Sequence, residues 1–140
     1  MATALPAKRK ILVVDDDEAV RTGLRGVLMT QGYEVDLANN GREAVERFAT
    51  SQADLILVDI NMPVQNGWGA VAALRSINPR IPVILITARP DQQTIALNAG
   101  LELMEKPLDL HRLLHRINEL SREYLRPSDG PASEESPVTL

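Results

Sequence analysis

Apolar and polar positions alternate along this chain with two different periods. The runs "ILVV" (11–14), "LILV" (55–58) and "VILI" (83–86) are short, unbroken and rich in β-branched residues. Such runs suit strands buried on both faces, and hence a parallel sheet covered by helices. "YEVDLA" (33–38) alternates instead, as an edge or half-covered strand does, and "LELM" (101–104) is a weaker fifth strand. Between them the apolar positions recur at helical spacing. Val20, Leu24, Val27 and Leu28 line one face of a first helix, with Asp17 placed to cap its start and Gly32 placed where it stops. Ala44, Val45 and Phe48 mark a second helix, and Ala70, Val71, Leu74 and Ile77 a third that ends before Pro79. A fourth, near 92–99, is short and weakly patterned. The fifth is the clearest, with Leu110, Leu113, Leu114, Ile117 and Leu120 followed by Tyr124. Parallel strands need crossovers, and the helices supply them. Strand–helix alternation therefore predicts a doubly wound α/β sheet.

Composition narrows the class. A length of 140 residues predicts one domain, and 44% hydrophobic content with only 3% aromatic predicts a core of aliphatic side chains and alanine. The net charge of −4 argues against a nucleic-acid surface. The absence of cysteine excludes disulfides, thiolate metal sites and cysteine nucleophiles. No apolar run reaches membrane-spanning length, and "MATALPAKRK" lacks the apolar middle of a signal peptide, so the expectation is a cytoplasmic protein without a membrane partner. Residues 1–8 read as an N-terminal extension, and Lys8, Arg9 and Lys10 as solvated charge. "PSDGPASEESPVTL" (127–140) is rich in proline and serine, carries acids without bases, and is expected to be disordered.

Ligands of open α/β sheets bind beyond the carboxyl ends of the strands. Those ends carry Asp15 and Asp16 after the first run, Asp59 after the third, Thr87 after the fourth, and Lys106 then Pro107 after the fifth. Three carboxylates in one crevice repel one another. A divalent cation resolves the repulsion, and Mg²⁺ favours a few carboxylates completed by water and phosphate oxygens. A carboxylate beside Mg²⁺ can attack phosphorus to give an acyl phosphate. Lys106 can compensate the transferred charge, and the Thr87 hydroxyl can donate to a phosphoryl oxygen. Taken singly, each residue has a plainer role: a helix cap, a loop acid, a strand-end threonine bonded to backbone, a surface lysine. Taken together, four strand ends that fit one metal–phosphoryl site favour the functional role.

These residues also carry a resemblance. "VVDD" (13–16), "LVDINMPVQNGW" (57–68), "ILITA" (84–88) and "EKP" (105–107) resemble the receiver domains of two-component response regulators, in order, over about residues 9–126. The resemblance implies a flavodoxin-like fold, a five-stranded parallel sheet in the order 2-1-3-4-5 flanked by five helices. It implies Asp59 as phosphoacceptor and a sensor histidine kinase as donor. It also implies Mg²⁺ on Asp16, Asp59 and the backbone carbonyl of Asn61, with Asp15 acting through water. Thr87 and Lys106 would hold the phosphoryl oxygens, with Lys106–Pro107 cis. Beyond phosphorylation and slow dephosphorylation of its own aspartate, no enzymatic activity is expected. Further partners would be a histidine phosphotransfer protein or a downstream target, with a weak homodimer compatible. The chain is expected to be either a single-domain regulator or the receiver of a longer one.

Two departures from the family pattern stand out. The segment from Thr87 to Gly100 is about two residues shorter than usual and that from Gly100 to Lys106 about one shorter, which implies a shortened fourth helix. Leu103 stands where receivers usually carry Tyr or Phe, and Arg89 stands where side chains often cover the phosphoryl group from water. A haloacid-dehalogenase-type phosphatase is a rival reading, since Asp15 and Asp17 have its spacing, but the residue types that follow and a later acid pair are missing. A flavodoxin-like cofactor binder shares the topology but would need a glycine- or Ser/Thr-rich phosphate loop after the first strand, and none is present.

Overall fold

A computed structural model describes residues 9–59, 67–88 and 101–124. Five strands, β1 (Lys10–Val14), β2 (Glu34–Ala38), β3 (Leu55–Asp59), β4 (Val83–Thr87) and β5 (Glu102–Glu105), form one parallel sheet in the order β2-β1-β3-β4-β5. The helices are α1 (Glu18–Thr30), α2 (Gly41–Ser51), α3 (Gly67–Ile77) and α4 (Leu110–Glu123). The helix expected near 92–99, the extension 1–8 and the tail 127–140 lie outside the described residues. Among the described residues no helix is long and apolar enough to cross a membrane.

Alternation along the strands sorts the core into two layers. Leu12, Val14, Ile56, Val58 and Leu85 face one side, where Ala44 and Phe48 of α2 and Val71 and Leu74 of α3 cover them. Ile11, Val13, Leu55, Leu57, Ile84 and Ile86 face the other, under Leu24 and Leu28 of α1 and Leu113 and Ile117 of α4. This two-sided burial is why the central runs read as unbroken apolar stretches: β3 and β4 are buried at every position. The alternating run and the weak run became the two edges, β2 and β5. Each fully buried Leu or Ile contributes about 1.5–3 kcal/mol relative to exposure, so the central strands dominate the stability.

Local signals start and stop the helices. Asp17 caps α1 by accepting from the Ala19 and Val20 amides, and Asn40 caps α2 by accepting from the Glu43 amide. Gly32 has φ of +91°, a conformation that side-chain-bearing residues rarely adopt, where the chain turns from α1 into β2. Two positions on the expected helix faces differ: Ile77 is 49% exposed and Leu110 is 41% exposed. Both are terminal residues of their helices, where the face has run past the edge of the sheet.

Candidate functional site

The four acids at the end of β1 have four different environments. Asp15 is buried, and its amide donates to the Ala38 carbonyl at 3.1 Å, so it continues the alignment of β1 with β2. Its carboxylate accepts from the Asp17 amide at 2.9 Å. Asp16 is exposed. Asp17 is the α1 cap, and Glu18 lies in the first turn, where the helix dipole favours an acid. Arg21 reaches back from α1 to donate to the Asp15 carbonyl oxygen at 2.6 Å and to Asn39 Oδ1 at 3.1 Å. That brace of the crevice rim was not foreseen from sequence; an arginine one turn inside the capped helix is its only trace there.

Strand register brings the remaining groups to the same edge. Val14 pairs with Val58 and Asp59 with Ile86, so Asp15, Asp59 and Thr87 come out side by side at the carboxyl end of the sheet. Carboxylate oxygens of Asp15, Asp16 and Asp59 lie within 4.8 Å of one another. The Lys106 amide donates to the Thr87 carbonyl at 2.7 Å and the Lys106–Pro107 peptide is cis. Lys106 Nζ donates to Asp59 Oδ2 at 3.1 Å. Thr87 is fully buried at the end of β4. Asn61 and Arg89 lie outside the described residues.

Electrostatics follows from this crowding. Asp15 has its pKa raised from 3.8 to about 6, first by burial, partly opposed by the Asp17 amide, and then by the Asp59 and Asp16 charges. Burial pulls the Lys106 ammonium down, but the hydrogen bond and charge of Asp59, with Asp15 and Asp16 behind it, more than offset that and raise its pKa. The donor set fits a hard divalent cation. It consists of carboxylate oxygens, and an octahedral ion with bonds of about 2.1 Å separates opposite ligands by about 4.2 Å, close to the spread of these acids. Such an ion would also relieve the unfavourable charge on Asp15.

The comparisons agree with this architecture. The sequence profile of the response regulator receiver domain matches residues 11–118. The response regulator MprA of Mycolicibacterium vanbaalenii is 39% identical over 134 residues, covering 94% of this chain and 57% of that protein. MprA of Mycobacterium leprae is 39% identical over 127 residues, covering 89% of this chain and 55% of that protein. This chain thus spans little more than half the length of these relatives. Among solved structures, a CheY-like receiver domain protein from Methanospirillum hungatei superposes with a TM-score of 0.78 at 28% identity, covering 84% of this chain and 96% of that one. The response regulator TrrA from Thermotoga maritima, solved in complex with Mg²⁺-BeF, superposes with a TM-score of 0.74 at 31% identity, covering 80% of this chain and 98% of that one. The chain belongs to the response regulator receiver domain family.

Proposed function

We propose that this receiver accepts a phosphoryl group on Asp59 from the phosphohistidine of a sensor kinase and thereby changes its affinity for a partner. The observation that carries the reading is the convergence of three carboxylates and the Lys106 ammonium at the carboxyl ends of adjacent parallel strands. An Asp59 carboxylate oxygen attacks phosphorus. The P–O bond of an acyl phosphate forms as the P–N bond to the donor imidazole breaks, and the imidazole leaves with the bonding pair. Lys106, held against Asp59, stays beside the transferred group as its counter-charge. Thr87 donates its hydroxyl to a phosphoryl oxygen. Asp16 and Asp59, with the Asn61 carbonyl and with Asp15 through a water, would hold Mg²⁺, which would supply positive charge against the phosphoryl oxygens. The Mg²⁺-BeF complex of TrrA supports that assignment.

The setting is cytoplasmic signalling, with a histidine kinase as the upstream partner and a phosphotransfer or target protein downstream. The length of the relatives favours a receiver that works within, or alongside, a larger regulator. Intact-mass measurement after incubation with acetyl phosphate tests the reading. The native chain should gain one phosphoryl group only when a divalent cation is present, and Asp59→Asn should gain none. Phosphate on any other residue of the native chain would overturn it.

A further inference from the structure

At the amino ends of β4 and β5, on the opposite edge of the sheet from the acid crevice, lies a hollow of about 400 Å³. Its wall includes Arg75, Arg80, Glu102, Arg116, Glu123 and Tyr124. Charges there are unevenly matched. Arg116 is engaged, donating to Glu102 and to Glu119 at 3.1 Å each. Arg75 and Arg80 have no ion-pair partner among the described residues, and the only other acid in the wall, Glu123, is exposed.

Arg75 is the informative residue. It sits in the last turn of α3, where helix carbonyls favour a cation. That explains its charge but not its Nε, which is buried with no hydrogen-bond partner among the described residues. A buried donor left unpaired destabilises the fold, the more so when it belongs to a cation. Burial lowers the Arg75 pKa. Across the hollow, the Tyr124 hydroxyl accepts from Asn78 Nδ2 at 2.7 Å, which leaves its own proton to donate. Two unmatched guanidiniums and a hydroxyl around a polar hollow are the donor set of an oxyanion site, since guanidinium forks match planar and tetrahedral oxyanions.

We propose that this hollow is a second ligand site, one that takes a small oxyanion between Arg75 and Arg80, with the Tyr124 hydroxyl as a further donor. The ligand is a free phosphate- or carboxylate-bearing small molecule. It reaches the sheet from the edge opposite Asp59, at the start of β5, the strand that leads into Lys106. Occupation therefore needs neither Mg²⁺ nor phosphorylation.

The site can be tested by following the arginine Nε–H signals and backbone amides in ¹⁵N-resolved NMR spectra of the whole chain without divalent cations. Inorganic phosphate, citrate and chloride are titrated at matched ionic strength. The expected result is a saturable shift of the Arg75 Nε–H signal and of amides near Tyr124 with phosphate, citrate or both, and none with chloride. Whichever of the two saturates at lower concentration identifies the ligand class. Arg80→Gln, on the exposed rim, should weaken binding about tenfold, as expected for one lost charge-assisted hydrogen bond. Arg75→Met should abolish it without lowering the melting temperature, because it removes the unpaired donor. Shifts that chloride reproduces, shifts confined to the surroundings of Lys106, or binding unchanged in Arg80→Gln would overturn the proposal. Should Arg75→Met fail to fold, Arg80→Gln decides alone.

Discussion

Strand β3 has a buried aspartate at each end. Asp54, 1% exposed, immediately precedes it, and Asp59, 4% exposed, closes it. By type, burial and strand they are near twins, but their neighbours differ. Asp54 accepts from the Lys10 amide at 2.8 Å, gives its own amide to the Lys10 carbonyl at 2.7 Å, and has the Arg9 guanidinium 3.9 Å away. It pins the start of β1 to the start of β3. Asp59 instead faces two more carboxylates, with Lys106 as the nearby cation. At one end an amide and a guanidinium answer a single acid; at the other, one ammonium answers three acids. Burial of a carboxylate therefore says little about its role until the sign of its surroundings is known. Where like charges are gathered, the site is arranged for something that comes from outside.

The contrast is most exposed to substitution. Asp59→Asn should eliminate acetyl-phosphate labelling in intact-mass measurements while the chain stays folded. Asp54→Ala should label normally but lose about 1–3 kcal/mol in urea unfolding, because the half-buried Lys10 amide loses its acceptor. Reversed outcomes would invert the assignment of the two ends.

A pH series is the next sharpest probe. The native chain holds the Asp15 proton more tightly than the unfolded chain, since its pKa is about 6 against 3.8. The resulting stabilisation is full below about pH 4 and gone above about pH 6. Without divalent cations, this group should make stability fall as pH rises across that window, by on the order of 3 kcal/mol. Asp15→Asn should flatten this component of the slope in chemical unfolding at each pH.

Added Mg²⁺ should act on the same end alone. At tenfold above its dissociation constant it should stabilise the native chain by about 1.4 kcal/mol. Thermal melts at neutral pH should show the gain retained in Asp54→Ala and reduced in Asp16→Asn. The smallest effect belongs to Arg9→Gln, which loses a long, partly solvated ion pair to Asp54. It should cost about 0.5 kcal/mol in urea unfolding and leave both labelling and the Mg²⁺ response untouched.

The strands and the two-layer core were readable from periodicity because β3 and β4 are buried on both faces, whereas the order of the strands followed only from the resemblance to receiver domains. The gathering of Asp15, Asp16, Asp59 and Lys106 was readable because parallel strands in register deliver their last residues to one edge. Asp54 was not singled out, because at a strand's amino end an acid looks like any loop residue until the partner strand brings Lys10 opposite it. Ile77 and Leu110 were placed on buried faces because periodicity does not say where a helix outruns the sheet. Leu103, expected at the position of a switching aromatic, is half-buried in β5 and packs against the layer under α2 and α3. The Arg75 hollow was unreadable, since it depends on how the end of α3 meets the end of α4.

The two edge strands bear on how separate copies of the chain meet. β2 displays Glu34 and Asp36, and β5 displays Glu102 and Glu105. An open sheet edge is a template for a further strand, and extended growth would give fibrous aggregates. Here each edge presents acids to the next copy, whether β2 meets β2, β5 meets β5, or one meets the other. Lys10 and Arg116 answer Glu34 and Glu102 from within the same molecule, so they are already engaged and little suited to bridging two copies. Among the described residues, the acidic margins are the kind of gatekeeper charge that disfavours adding a sixth strand to the five.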